Sequence, residues 1–364
     1  MFRFIHAADF HLDSAFGALS AQQAASRRRE CRQTLSRLAE YVNREGIRLV
    51  LLAGDLFDSA DAFRDTGEQM AQALGQMEAR VFIAPGNHDC VTEVSPWQTV
   101  KWPDNVHIFR ENRMTAVEVP ELGVTIHGAA FTAPEQAAGL LTGFSAPTEG
   151  VHIGLLHGEV EPSEARYNPI RREEIAASGL AYLALGHIHK RTELLTFCQT
   201  ACAWPGCLEG HGFDELGEKG FYQGTLSDGG TVELTFVPFA SRRYEIAEVD
   251  VTGREPRRAV EEALPAETER DLYRVILTGE TGEGGVDAHA LREALAQRFY
   301  GLDIRDRTCM ASDIWARAGE DSLRGLFLRE LRLKWEHAAS EEERETVTRA
   351  VRFGLAALDH RDLG

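Results

Sequence analysis

"VFIAPGNHDC", residues 81–90, begins as a buried strand and ends as something else. Val81, Phe82, Ile83 and Ala84 are apolar, and Pro85 and Gly86 stop the run. Asn87, His88 and Asp89 then arrive together, each able to hold a metal ion or a proton. Pro-Gly-Asn is also ordinary turn chemistry. The stretch by itself therefore leaves a turn and a ligand cluster both open. The other apolar runs of the chain decide between them.

Working outward, "FRFIHAAD" (2–9) and "IRLVLLAGD" (47–55) read as strands on the N-terminal side. Residues 20–45 and 63–78 between them carry helical periodicity, with Leu35, Leu38, Ala39 and Val42 on one face. Shorter strands are expected over 106–110, 113–119 and 123–127. "VHIGLLHG" (151–158) and "LAYLALGHIHK" (180–190) are again apolar runs. Residues 219–239 read as a hairpin turning at "SDGG". This β-α-β-α-β order implies a sheet with helices on its faces, and residues 1–240 as one α/β sandwich domain. Residues 241–310 look like a small α+β unit, with the strand "LYRVILTG" and a helix near 287–299. From residue 311 the pattern is helical and charged.

Five of the strand ends carry the same kind of residue. They give Asp9 and His11; Asp55 and Asp58; Asn87, His88 and Asp89; His157; and His187 and His189. In an extended segment residues i and i+2 point to one side, so Asp9 with His11, and His187 with His189, can converge. Open α/β sheets place ligands just beyond the carboxyl ends of their strands. A lone Asp or His at a strand end is usually a cap or a solvated turn, and Gly54 and Gly186 can serve tight turns alone. Five such ends together point instead to one metal-assisted site.

The order D-x-H, G-D-x-x-D, G-N-H-D, H and G-H-x-H resembles the calcineurin-like metallophosphoesterases over residues 1–240. Within them the chain is similar to the SbcD-type DNA repair exonucleases, and especially to their YhaO-like branch. "AADFHLDS", "LLAGDLFDS", "APGNHD", "ALGHIHK" and "GEKGFY" carry that likeness. The sequence departs from the SbcD pattern at Asp13, where Gly is usual. The resemblance implies a four-layer α/β/β/α sandwich with a small α+β cap domain (241–310) and a helical C-terminal segment (311–364). It implies two divalent metal ions, manganese first and iron or zinc as alternatives, bridged by Asp55. Asp9, His11 and His189 would complete one site; Asn87, His157 and His187 would complete the other. His88 would contact the phosphate, and Asp58 would hold the catalytic imidazole in its working tautomer. A mixed oxygen and imidazole donor set suits those ions better than calcium.

The expected activity is a DNA exonuclease or endonuclease in repair, with a small-molecule phosphodiesterase or phosphatase of the same fold as the alternative. The chain carries 39 basic and 57 acidic residues in 364, a net charge of −18, which argues against non-specific attraction to nucleic acid. Two divalent ions would outweigh Asp9 and Asp55 and reverse that sign locally. Arg171, Arg172, Lys190, Arg191, Arg242 and Arg243 are the candidates for DNA contact, with a solvated surface as the alternative. The resemblance also implies an SMC-like coiled-coil ATPase as partner, docked on the C-terminal helices. There Leu323, Leu326, Phe327 and Leu331, then Val347, Val351, Leu355 and Leu358, are expected on apolar faces. Those faces could equally close a small core of their own, and a homodimer is left open. The six cysteines form no C-x-x-C pair and read as free thiols, Cys90 being the one beside the cluster. With no apolar run of membrane-spanning length and no leader, the expected location is cytoplasmic.

Overall fold

The computed structural model describes residues 1–164, 166–282, 285–310 and 312–358. The chain divides into two compact units, Met1–Ser241 and Arg242–Gly364.

The first unit is built on strands β1 (Phe2–Ala7), β2 (Leu49–Leu52), β3 (Arg80–Ile83), β4 (Val106–Ile108), β5 (Thr115–Val119), β6 (Val124–Gly128) and β7 (Val151–His157). A short pair, β8 (Glu159–Val160) and β9 (Pro169–Ile170), precedes β10 (Tyr182–Gly186), β11 (Leu195–Phe197), β12 (Thr200–Ala203), β13 (Gly220–Leu226) and β14 (Val232–Pro238). They form two six-stranded sheets, ordered β14-β13-β1-β2-β3-β4 and β11-β12-β10-β7-β6-β5. The strands β1 to β4 run parallel, as do β6, β7, β10 and β12.

Alternation along the strands explains the layering. Phe4, Leu49, Leu51 and Phe82 face the second sheet and meet Ile153, Leu155 and Ala184. Their neighbours Ile5, Val50, Leu52, Val81 and Ile83 face outward, onto helices α1 (Ala21–Arg44) and α2 (Arg64–Gly75). On the far side Leu156, Leu183 and Leu185 meet Ile175 of the short helix α4 (Arg172–Ala177), which follows α3 (Pro96–Thr99). Helix, sheet, sheet, helix is the four-layer sandwich that the resemblance implied. Because both faces of the central strands are covered, those strands read as continuous apolar runs. Helix α1 starts at Ser20, whose side chain accepts from the Gln23 N–H in a capping box, worth about 1 kcal/mol. It turns Leu35, Leu38 and Val42 to the sheet. A polar side chain crosses the seam between sheets. His6, fully buried on β1, donates Nε2–H to the Leu185 carbonyl at 3.1 Å and accepts at Nδ1 from the Tyr182 hydroxyl at 2.7 Å, both on β10.

In the second unit β15 (Tyr244–Asp250), β16 (Leu272–Thr278) and β18 (Gly301–Asp306) form a parallel three-stranded sheet; β17 (Glu280–Thr281) pairs β19 (Cys309–Met310). Val249, Val275 and Leu277 pack on Ala259 and Val260 of α5 (Pro256–Ala263) and Leu291 of α6 (Ala288–Leu295). The sequence reading missed α5, which is short and held at its start by Glu255 and a Pro. Helices α7 (Leu323–Glu336) and α8 (Glu341–Leu358) close a separate small core around Leu328, Val351 and Leu355. That contact is rotated toward Leu328 from the face the pattern suggested. Leu323 and Leu326 stay 69% and 50% exposed, as does Phe353 at 57%. No helix among the described residues is long and apolar enough to cross a membrane.

Candidate metal centre

The carboxyl ends of β1, β2, β3, β7 and β10 open on one point. Two clusters of ligand atoms form there, Asp9 with His11 and His189, and Asp55 with His157 and His187. The Asn87 amide oxygen joins the second cluster, 3.0 Å from His157 Nε2 and 3.2 Å from His187 Nδ1. Asp55 lies between the two: its Oδ2 is 3.3 Å from His157 Nε2 and 3.8 Å from His11 Nε2.

The backbone reaches this geometry differently from the expectation of extended segments. Asp9, His11, Asp55 and His187 have φ of 54°, 43°, 50° and 96°. These are left-handed values that non-glycine residues seldom adopt and that gather at functional sites. The convergence of Asp9 with His11 is thus a property of tight turns and not of strand periodicity. Asp13, at φ 72°, shows why glycine is usual there; its carboxylate accepts from Arg32 Nε of α1 at 2.9 Å. Gly54 is also left-handed at φ +84°, and a Cβ there would stand 2.7 Å from His157 Nδ1 and 2.8 Å from the Ala84 oxygen. Gly186 serves close approach instead of a turn, since a Cβ would overlap the Ala53 carbonyl oxygen.

Hydrogen-bond roles fix which nitrogens are free. Carbonyl and carboxylate oxygens only accept, so an imidazole nitrogen facing one carries the proton. His157 Nδ1 donates to the Ala53 carbonyl at 2.8 Å, which turns its Nε2 toward Asn87 Oδ1 and Asp55. His11 Nδ1 faces Asp58 Oδ1 at 3.2 Å and His189 Nδ1 makes a short contact with Glu215 Oε1. Their Nε2 atoms then face each other, 3.1 Å apart. Imidazole nitrogens and carboxylate and amide oxygens gathered at these distances are the donor set that fits two divalent ions. Electrostatics agree. Burial pushes the Asp9 carboxyl up to about 7, a rise that His157 opposes and Asp55 reinforces. Asp55 is held well below the usual carboxylate range; burial works against this and the charge and hydrogen bond of His157 override it.

His88 stands exposed at the rim, its ring edge-on to His11 with centroids 4.8 Å apart. The expected partnership between His88 and the Asp58 carboxylate is not formed. That carboxylate turns to His11, and His88 Nδ1 meets the backbone oxygen of Asp58 at 3.2 Å instead. Asp89, in the opening stretch, is a fully buried clamp. It accepts from the Gly86 and Leu56 N–H groups at 2.7 Å each and from Asp55 and Phe57 at 3.3 Å, so it binds two ligand loops to each other. Cys90 is buried, its thiol pushed up by burial, and is no part of the centre. Among the basic candidates, Arg171, Arg172 and Lys190 are exposed. Arg191 is stacked on Phe236, while in the second unit Arg242 stacks on Tyr300 and Arg243 is paired with Asp271. Sequence reading missed Glu215 and His211; the only trace was a histidine with three acidic residues within "GHGFDELGEKG".

Residues 2–191 match the family model described as calcineurin-like phosphoesterase. The chain is 33% identical over 265 residues to the uncharacterized metallophosphoesterase YhaO of Bacillus subtilis, covering 68% of this chain and 63% of that one. It is 25% identical over 331 residues to the DNA double-strand break repair protein Mre11 of Methanopyrus kandleri, covering 84% and 71%. It is 22% identical over 255 residues to the D component of the nuclease SbcCD of Bacillus subtilis, covering 59% and 63%. The chain thus spans 63% to 71% of these relatives' lengths.

Proposed function

This chain belongs to the calcineurin-like phosphoesterases, metal-dependent hydrolases of phosphate esters, and from that premise we propose that it is a manganese-dependent DNA nuclease acting in repair. The observation that supports this most is the pair of acceptor clusters sharing Asp55, which suits a phosphodiester held between two ions. Two relatives bear the names of a double-strand break repair protein and a nuclease component. Asp9, His11 and His189 would hold one ion, and Asn87, His157 and His187 the other, with Asp55 common to both.

The ions, when bound, would supply positive charge toward the phosphate and a water acidified for attack. The protein does the rest. Asp89 keeps the loops of Asp55 and Asn87 in register through backbone N–H groups. His88, oriented through Nδ1, presents Nε2 at the rim, where it would contact the phosphate and give a proton to the leaving oxygen. Asp58 would keep His11 in the tautomer that offers Nε2. Lys190, exposed beside His189, and Arg171 with Arg172 at the start of α4, would touch the DNA backbone. Residues 241–310 would cap the site. Residues 311–364 would dock an SMC-like coiled-coil ATPase, so that an acidic nuclease takes its DNA affinity from a partner.

The deciding experiment is digestion with manganese of linear duplex DNA, single strands and bis-p-nitrophenyl phosphate side by side. Metal-dependent cleavage of DNA is expected. Cleavage of the small ester alone would replace the nuclease with a small-molecule phosphodiesterase.

A further inference from the structure

The segment between β12 and β13 brings one carboxylate against two imidazoles. Glu215, 8% exposed, spends its two oxygens differently. Oε1 takes His189 Nδ1 in a short contact. Oε2 takes the His211 backbone N–H at 2.7 Å and its ring Nδ1 at 3.3 Å. Burial alone would raise the Glu215 carboxyl, but the bonds from His189 and His211 override it and hold the group below its ordinary range. The His211 ring is itself fixed, stacked on Phe16 at 5.3 Å between centroids and edge-on to His11 at 5.7 Å. Cys207 lies close enough to complete a cluster with His189 and Glu215. Its thiol donates to the His189 carbonyl at 3.8 Å.

The two proposed metal positions therefore differ behind their histidines. In the Asp9 cluster both imidazoles rest on carboxylates, His11 on Asp58 and His189 on Glu215. In the Asn87 cluster His157 rests on a neutral backbone carbonyl. An anion behind an imidazole raises the basicity of the nitrogen on its far side and fixes the ring. We propose that Glu215, locked by His211, is a positioning residue for His189 that makes the Asp9–His11–His189 position the tighter of two unequal metal sites.

This rests on the two-metal reading above, and its test is chosen to be separable from that reading. The full chain is freed of metal and titrated with manganese by calorimetry, with no substrate present. The wild type should show two unequal binding steps. In Glu215→Gln, which keeps size and loses charge, the tighter step should weaken about 10- to 100-fold while the weaker step stays within about twofold. His211→Ala should weaken the same step by less, and the double variant should lose no more than Glu215→Gln alone, because both act through one contact. Thermal unfolding of each metal-free variant identifies loss of fold. If Glu215→Gln does not fold, Glu215→Asp keeps the charge, draws it back by one methylene, and should weaken the same step partially. An unchanged tighter step, equal weakening of both steps, or additive losses in the double variant would overturn the proposal. Fewer than two manganese per wild-type chain would overturn it together with the two-metal reading. Loss of the tighter step in a protein that cleaves no DNA would leave the proposal standing and remove only the substrate.

Discussion

His88 and Asp58 are neighbours in space with different duties, and substitution separates them. His88→Ala leaves every proposed ligand in place, so the purified variant should retain two metals and lose turnover by about 100-fold or more. Asp58→Asn removes the carboxylate behind His11, so metal should be lost first from the Asp9 cluster. Metal analysis of the two variants is the check; two full equivalents in Asp58→Asn would show that His11 needs no anion behind it. At this scale the sequence disclosed donor types and their order but not their pairing. Nothing in "GDLFD" says that the second Asp turns to His11, because that contact depends on the left-handed turn at His11. Glu215 lies 26 positions from the His189 it faces, beyond any local pattern.

Among the elements, β10 is held to its place by the lack of a side chain. Gly186→Ala would drive a methyl group into the Ala53 carbonyl, a backbone atom that cannot swing away, and should cost about 1–3 kcal/mol along with metal affinity. Gly17, where a Cβ would meet nothing within 4 Å, is the matched control, and Gly17→Ala should stay within about 0.5 kcal/mol by denaturant titration. Equal effects of the two would remove the close approach as the reason for glycine. The helices α7 and α8 have their own core, apart from the one beneath the β15-β16-β18 sheet. A chain ending near residue 311 should therefore still cleave a small phosphodiester with manganese, and should not co-purify with the ATPase proposed as partner of the full chain; equal co-purification of both chains would free these helices from docking. Strands buried on both faces were legible as apolar runs. Helix α5 and the rotated face of α7 were not, since short amphipathic segments take their orientation from tertiary partners.

The whole sandwich carries a pH dependence at its seam. Burial lowers the His6 pKa to about 3, against its bond to the Leu185 carbonyl, from the ordinary 6.5. The unfolded chain protonates this imidazole below 6.5 and the folded one does not, so its contribution is complete above 6.5 and is lost as pH falls toward 3. At pH 5 the loss is about 2 kcal/mol. Comparing metal-free wild type with His6→Gln by denaturant unfolding at pH 7.5 and pH 5, the gap between them should shrink by about that amount; a constant gap would show that His6 is not kept neutral. The layered architecture was visible in strand order and motif position. The pairing of His6 with Tyr182 was not, because facing residues of two sheets share no spacing in the chain.

Each proposed metal position draws on both sheets: Asp9 and His11 with His189, Asp55 and Asn87 with His157 and His187. Neither sheet holds a complete set. Residues 1–110 alone supply Asp9, His11, Asp55 and Asn87 without the remaining imidazoles, and residues 111–240 alone supply His157, His187 and His189 with nothing to complete them. Such a site cannot be passed between proteins as a loop or a half-domain. It forms only when both sheets of the sandwich have come together.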